Sequence, residues 1–191
     1  MFEPFVVKLN LYELQVIQNF AEFSLTLNME IVRRESLVKQ YNSLDELAAS
    51  DQSLLAAANE AMEQAYAPYS RFIVGCALRL QNGIIIRGNN QENMAYPSGL
   101  CAERVAIFYA GANYPNIPVL EMAITAKALD YQVKGPIMSC GACLQSLSEY
   151  ELKFNQPIRT LLKGDNGPIW LAEAGTKTFL PFQFFVSELK R

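Results

Sequence analysis

The chain has 191 residues, of which 51% are hydrophobic and 18% charged; this excludes wholesale disorder and supplies one domain with a sizeable core. A net charge of −3 provides no positive field for phosphate backbones, so nucleic acid is excluded as the main partner and a small neutral molecule is favoured. Met1 to Lys8 lack the cationic start, sustained apolar stretch and cleavage site of a secretory leader, and nothing later approaches the roughly 20 apolar residues of a membrane span, so the expected location is the cytoplasm.

In chain order, residues 1–45 form an apolar but irregular extension (Phe5-Val6-Val7, Leu11 to Phe23, Ile31-Val32) without a chemical motif, in which Met29 is a candidate alternative start of translation. The domain proper is expected over 46–191. Ser50 is placed to cap a helix running to about Tyr66, because Leu54, Ala58, Ala61, Met62 and Ala65 recur at helical spacing and Pro68 ends it. Phe72, Val74, Cys76, Leu78 and Leu80 then alternate as a strand, with Asn82-Gly83 as a two-residue hairpin turn and Ile84-Ile85-Ile86 returning. Pro97 and Gly99 mark a loop, and Cys101 opens a second helix to about Ala112. Val119 to Ala126 reads as a buried strand, Cys140 to about Glu151 as a third helix, and Ile158–Leu162 and Ile169–Ala172 as strands around the Gly164–Gly167 turn. The expected fold class is α/β, a three-layer α/β/α sandwich with a mixed sheet of about five strands and helices on both faces.

The chemistry concentrates in Cys101-Ala102-Glu103 and Cys140-Gly141-Ala142-Cys143, in a chain without histidine. Three thiolates fall one ligand short of a closed tetrahedral zinc site, which leaves a corner for water or substrate. Both ligand groups begin helices, where unpaired N–H groups favour the thiolate. Glu103, two residues from a ligand, can move protons at the metal without binding it. Three thiolates and Zn²⁺ sum to about −1, and Arg104 is the candidate for offsetting that excess at the sulfurs.

These residues resemble the zinc-dependent, homotetrameric cytidine deaminases of nucleoside salvage. The resemblance covers about residues 50–187 and rests on Ala67 to Gly75, Asn90 to Asn93, Tyr96 to Arg104 and Cys140 to Cys143. It implies hydrolysis of cytidine and deoxycytidine to uridine and deoxyuridine plus ammonia by a zinc-bound hydroxide, with Cys101, Cys140 and Cys143 as ligands and Glu103 as the proton shuttle. By the same resemblance Asn90 and Glu92 hold the ribose 3′-hydroxyl, Phe72 packs against the base, and the Ala102 backbone contacts the pyrimidine. Pro181 and Phe184 match a motif whose aromatic reaches a neighbouring subunit's site, which implies a homotetramer.

The chain departs from the family pattern at Ser139, where proline usually precedes the ligand pair, and at Leu144, where arginine usually follows it. Plainer readings stand beside these: core cysteines, which is the reading for Cys76, a redox C-x-x-C pair, a solvated Glu103, and Asn90 and Glu92 as turn formers. A non-enzymatic zinc module would need Cys76 or a carboxylate as fourth ligand. A deaminase of antibiotics or polynucleotides would lack the sugar contacts.

Overall fold

A computed structural model describes residues 30–186. The chain divides into two units, Met1–Arg34 and Glu35–Arg191. Of the first, residues 30–34 are described; they are exposed and irregular. Phe5-Val6-Val7, the stretch Leu11 to Phe23 and Met29 lie outside the described residues.

The second unit contains strands β1 (Lys39–Tyr41), β2 (Phe72–Leu80), β3 (Ile85–Asn89), β4 (Val119–Ala128), β5 (Arg159–Lys163) and β6 (Ile169–Ala172), with helices α1 (Ala49–Met62), α2 (Ala102–Asn113) and α3 (Gly141–Phe154). The sheet order is β1-β6-β5-β4-β2-β3; β4 and β5 pair in parallel and every other neighbour is antiparallel. The sheet therefore has six strands among the described residues, not five. The additional strand is β1, whose Lys39-Gln40-Tyr41 pairs with Leu171-Trp170-Ile169 and lies in the stretch read from sequence as an extension. Trp170 Nε1 donates to Gln40 Oε1 at 2.9 Å, fixing this short polar edge where no apolar alternation could.

Alternation along the strands builds one core on each face. Cys76, Leu78 and Leu80 of β2, Met122 and Ile124 of β4 and Leu162 of β5 pack with Ile107 of α2 and Leu147 of α3. Their neighbours Ala77, Ala123 and Leu161, with Ile169 and Leu171 of β6, pack with Leu54, Leu55 and Ala58 of α1. This period-two division is what makes the three layers, and each fully buried Leu or Ile stabilises the fold by about 1.5–3 kcal/mol. Cys76 is a fully buried free thiol, as expected of a core residue, and burial pushes its pKa up. On the α1 side, Arg159 forks onto the buried Asp51 carboxylate at 2.6 and 2.8 Å, tying β5 to the first turn of the helix.

Three local expectations need correction. Helix α1 is capped by Ala48, and Ser50 lies inside its first turn with its carbonyl accepting from the Ser53 hydroxyl. It also ends at Met62, before Tyr66, because the Tyr66 N–H leaves to bond the Asn90 carbonyl at 3.0 Å. The hairpin loop is Gln81-Asn82-Gly83: Leu80 N–H bonds the Ile84 carbonyl and Gly83 N–H the Leu80 carbonyl, with Gly83 at φ +84°. That is a turn closed by a left-handed glycine, not a two-residue turn. No described helix is long and apolar enough to cross a membrane.

Gly88 sets the height of α2 above the sheet. A Cβ there would stand 2.6 Å from the Ala102 carbonyl oxygen and 2.7 Å from the Ala106 nitrogen, both backbone atoms of the helix start. Gly88→Ala must displace that start, so we expect destabilisation of at least about 2 kcal/mol and a Tm lower by roughly 5 °C or more. A thermal melt superimposable on that of the wild type would contradict this packing.

Candidate metal centre

Cys101 is the N-cap of α2 and Cys140 the N-cap of α3, both with extended backbone and neither using its side chain to cap. The thiols are thus free to point away from their helices while the first-turn N–H groups of each supply partial positive charge. Cys143 follows on the first turn of α3 and is fully buried. The structure brings the three together: Cys101 Sγ lies 3.9 Å from Cys140 Sγ, Cys140 Sγ lies 3.5 Å from Cys143 Sγ, and all three sulfurs lie within 4.8 Å of one another. Tetrahedral zinc with bonds of about 2.3 Å requires sulfur separations of about 3.8 Å, so the trio fits the metal with small adjustment. Cys76 is not in the cluster, and no fourth protein ligand joins it among the described residues.

The electrostatics favour thiolate formation at this point. Cys101 is lowered to about 5, chiefly by its hydrogen bond with the Cys143 thiol and further by Arg104 and Cys140, against the opposing effect of partial burial. Arg104 Nη2 donates to Cys101 Sγ at 3.8 Å, and its Nε is buried without a hydrogen-bond partner. Cys143 moves the other way, because it is the donor to Cys101 and is buried, so Cys101 ionises before Cys143.

Glu103, two residues after Cys101 in the first turn of α2, is 4% exposed. Burial raises its pKa and the neighbouring Cys101 charge adds to this, while its own backbone N–H, Ser139 and Cys143 hydrogen-bond to it and oppose the rise. Ser139, at the position that departs from the family pattern, is therefore a buried partner of this carboxyl and not merely a looser link. Leu144 is buried at 6%, an apolar packing residue where a charge was expected.

A cleft of about 420 Å³ opens beside the metal centre, lined by Cys101, Arg104, Asn90, Glu92, Tyr69 and Tyr96 among others. Its size falls in the range of small-molecule sites. The rings of Tyr69 and Tyr96 meet edge to face, 6.2 Å apart. Asn90 and Glu92 also have structural partners. Asn90 Oδ1 accepts from Val74 N–H at 2.8 Å while its Nδ2 donates to the Phe72 carbonyl at 2.9 Å. Glu92 Oε2 accepts from the N–H groups of Tyr69 and Ser70 at 2.9 and 3.2 Å. Desolvation pushes the Glu92 pKa up, but these bonds and one from the Ser70 side chain outweigh it and hold the carboxyl below its ordinary value. Each side chain retains hydrogen-bonding capacity toward the cleft, since an amide nitrogen has a second N–H and a carboxylate about four acceptor positions.

Besides the ligand pair Cys140 and Cys143, four residues singled out in the sequence do not line this cleft: Phe72, Ala102, Glu103 and Phe184. Phe72 is half-buried at the start of β2, with its carbonyl held by Asn90; Ala102 is fully buried in the first turn of α2; Phe184 is 71% exposed. Sequence reasoning assigned no role to Tyr69 and Ser70, although both belong to the Ala67 to Gly75 run; their contribution is through main-chain N–H groups, which residue type does not advertise.

A layered α/β fold with three thiols converging at two helix starts, beside a buried glutamate, defines a zinc-binding hydrolytic deaminase, with Zn²⁺ as its cofactor. Residues 48–154 match the family described as the cytidine and deoxycytidylate deaminase zinc-binding region, and the chain belongs to that family. It is 37% identical over 139 residues to a cytidine deaminase of Sporosarcina psychrophila, covering 72% of this chain and 93% of the relative. It is 43% identical over 98 residues to one of Halalkalibacterium halodurans, covering 51% of this chain and 70% of that protein. The crystal structure of cytidine deaminase from Burkholderia pseudomallei superposes with a TM-score of 0.61 at 33% identity, over 72% of this chain and 100% of that one.

The lowered Cys101 pKa carries a sign that can be measured. Because the folded value lies below the unfolded one, the thiolate contributes stability that is fully present above the ordinary thiol pKa and is lost as pH falls toward about 5. Ultraviolet thiolate absorbance of zinc-stripped protein should persist to near that pH, and Arg104→Ala should move the midpoint upward. A wild-type midpoint at the ordinary thiol value of about 8.5 would contradict the arrangement.

Proposed function

We propose that this chain hydrolyses cytidine and deoxycytidine to uridine and deoxyuridine, releasing ammonia, in pyrimidine salvage. The observation that carries this reading is the convergence of Cys101, Cys140 and Cys143 beside the buried Glu103, at the head of a cleft that offers Asn90 and Glu92. Zinc held by these thiolates supplies Lewis acidity, which makes water a usable nucleophile near neutral pH.

Glu103 handles the protons. Its carboxylate takes a proton from the attacking water and delivers it to ring nitrogen 3, as an oxygen–carbon bond forms at ring carbon 4. A second proton passes through the same carboxyl to the exocyclic nitrogen as the carbon–nitrogen bond breaks, and ammonia leaves. Burial supports this role, because a carboxyl whose pKa is raised from the ordinary range can hold a proton for delivery near neutral pH.

Asn90 and Glu92 bind the ribose 3′-hydroxyl with their remaining hydrogen-bonding capacity, the Ala102 backbone contacts the pyrimidine, and Phe72 packs near the base. Arg104 offsets the negative charge of the thiolates through Cys101. Phe184, exposed and away from its own chain's cleft, reaches the site of a neighbouring subunit in a homotetramer. Every residue named in this mechanism falls in 46–191, which we assign as the catalytic domain; of the extension 1–45 read from the sequence, Lys39–Tyr41 joins the domain's sheet as β1. Thiolate ligands suit a reducing compartment, hence the cytoplasm.

The test follows cytidine absorbance with zinc-loaded protein. Wild type should turn over, whereas Glu103→Gln should lose about 10³-fold or more in kcat with its zinc content unchanged. Wild-type protein as inert as the mutant, with zinc bound in both, would overturn the proposal.

A further inference from the structure

The segment that carries Phe184 is held to the domain at two successive residues. The Gln145 carboxamide closes a ring on the Phe184 main chain: Nε2 donates to the Phe184 carbonyl at 3.1 Å, and Oε1 accepts from the Phe184 N–H at 3.2 Å. A primary amide is suited to this, since it offers a donor and an acceptor side by side. The preceding residue is held through its side chain. Gln183 Nε2 donates to the Thr176 hydroxyl, which donates in turn to Glu151. Glu151 is 8% exposed and also accepts from the N–H groups of Thr176 at 3.0 Å and Ile158 at 2.8 Å, so the chain of bonds ends on a buried anchor.

Both main-chain polar groups of Phe184 are thus fixed while its ring is 71% exposed, and Phe185 beside it is 53% exposed. Ordering a surface segment costs conformational entropy, and a phenylalanine left mostly exposed repays little of it by burial within its own chain. The fixed quantity is the direction in which the ring leaves the domain. Gln145 lies on α3 two residues after Cys143, so the same helix start that carries two zinc ligands also sets that direction.

We propose that Gln145 is a positioning residue for the reaction: it aims the Phe184 ring so that a second copy of this chain receives it at its cleft. The proposal rests on the reading above in which Phe184 completes a neighbour's site. Gln145 touches no reacting atom and acts through the Phe184 backbone.

The test uses zinc-loaded full-length protein carrying Gln145→Met, which keeps length and bulk but neither hydrogen bond, together with Phe184→Ala and the double variant. Amide exchange in a peptide spanning residues 182–186 should quicken roughly tenfold in Gln145→Met. KM for cytidine should rise about tenfold with a smaller change in kcat, and the double variant should show no loss beyond that of Phe184→Ala. Wild-type exchange in Gln145→Met, or KM losses that simply multiply in the double variant, would overturn the inference. Phe184→Ala with a wild-type KM would instead remove Phe184 from the substrate site; the exchange rate then decides whether Gln145 positions the tail at all. Should Gln145→Met not fold, Gln145→Glu carries the same comparison, keeping the acceptor, losing the donor and giving intermediate effects.

Discussion

The metal centre depends on two helix N-termini meeting above one sheet. Cys101 and Cys140 each occupy the cap position, where backbone leaves the extended region and the first-turn N–H groups are still unpaired. At those positions a thiol serves as a ligand without competing for intrahelical bonds, and the oriented N–H groups stabilise its anion. The meeting is possible because α2 rests directly on Gly88 of β3; any side chain there would lift the Cys101 end of the helix from the sheet. The distance between the two helix starts is therefore a consequence of how closely a helix can approach a strand, and the Cys101–Cys140 sulfur separation of 3.9 Å expresses that approach, whereas the 3.5 Å between Cys140 and Cys143 is set within the first turn of α3.

Charge balance at the centre is unusually spare. Three thiolates and one divalent cation leave about one negative charge, and Arg104 is the cation in contact with it, through Cys101. The position after the ligand pair holds the buried Leu144, which adds packing but no positive charge. The opposite change occurs one residue before the pair, where the polar Ser139 side chain favours the charged form of Glu103, as proline could not. The two departures thus act on different parts of the site: one leaves the sulfurs more electron-rich, the other acts on the Glu103 carboxyl, the proton carrier of the proposed function.

Much of this was legible in the sequence, and what was not has definite physical reasons. The convergence of Cys101, Cys140 and Cys143 could be read because zinc chemistry restricts residue type and spacing severely, and the hairpin and central helices because burial on one or both faces imposes a period. Strand β1 carried no such signal: it is three residues long, polar, and held at the sheet edge by backbone pairing and the Gln40–Trp170 bond. Ser50 looked like a cap by residue type, but where the first turn begins is decided by α1 packing and by Arg159 gripping Asp51. The Gln145 contact was invisible because it joins a side chain to backbone 39 residues away, and backbone partners leave no mark on composition.

Asn90 and Glu92 show why structural and functional readings of a residue need not compete. Asn90 satisfies the Val74 N–H and the Phe72 carbonyl at the start of β2, where the pairing with β3 has not yet begun. Glu92 gathers two successive N–H groups just before Arg71, whose φ of 54° places it in the left-handed region and turns the chain into β2. Each side chain thereby fixes the cleft wall and is itself immobilised by it. A group meant to hold a sugar hydroxyl gains from such restraint, because the rotamer entropy that binding would otherwise cost has been lost during folding. In the proposed function, the turn-forming role weighed for these residues is the means by which sugar binding would become precise in geometry.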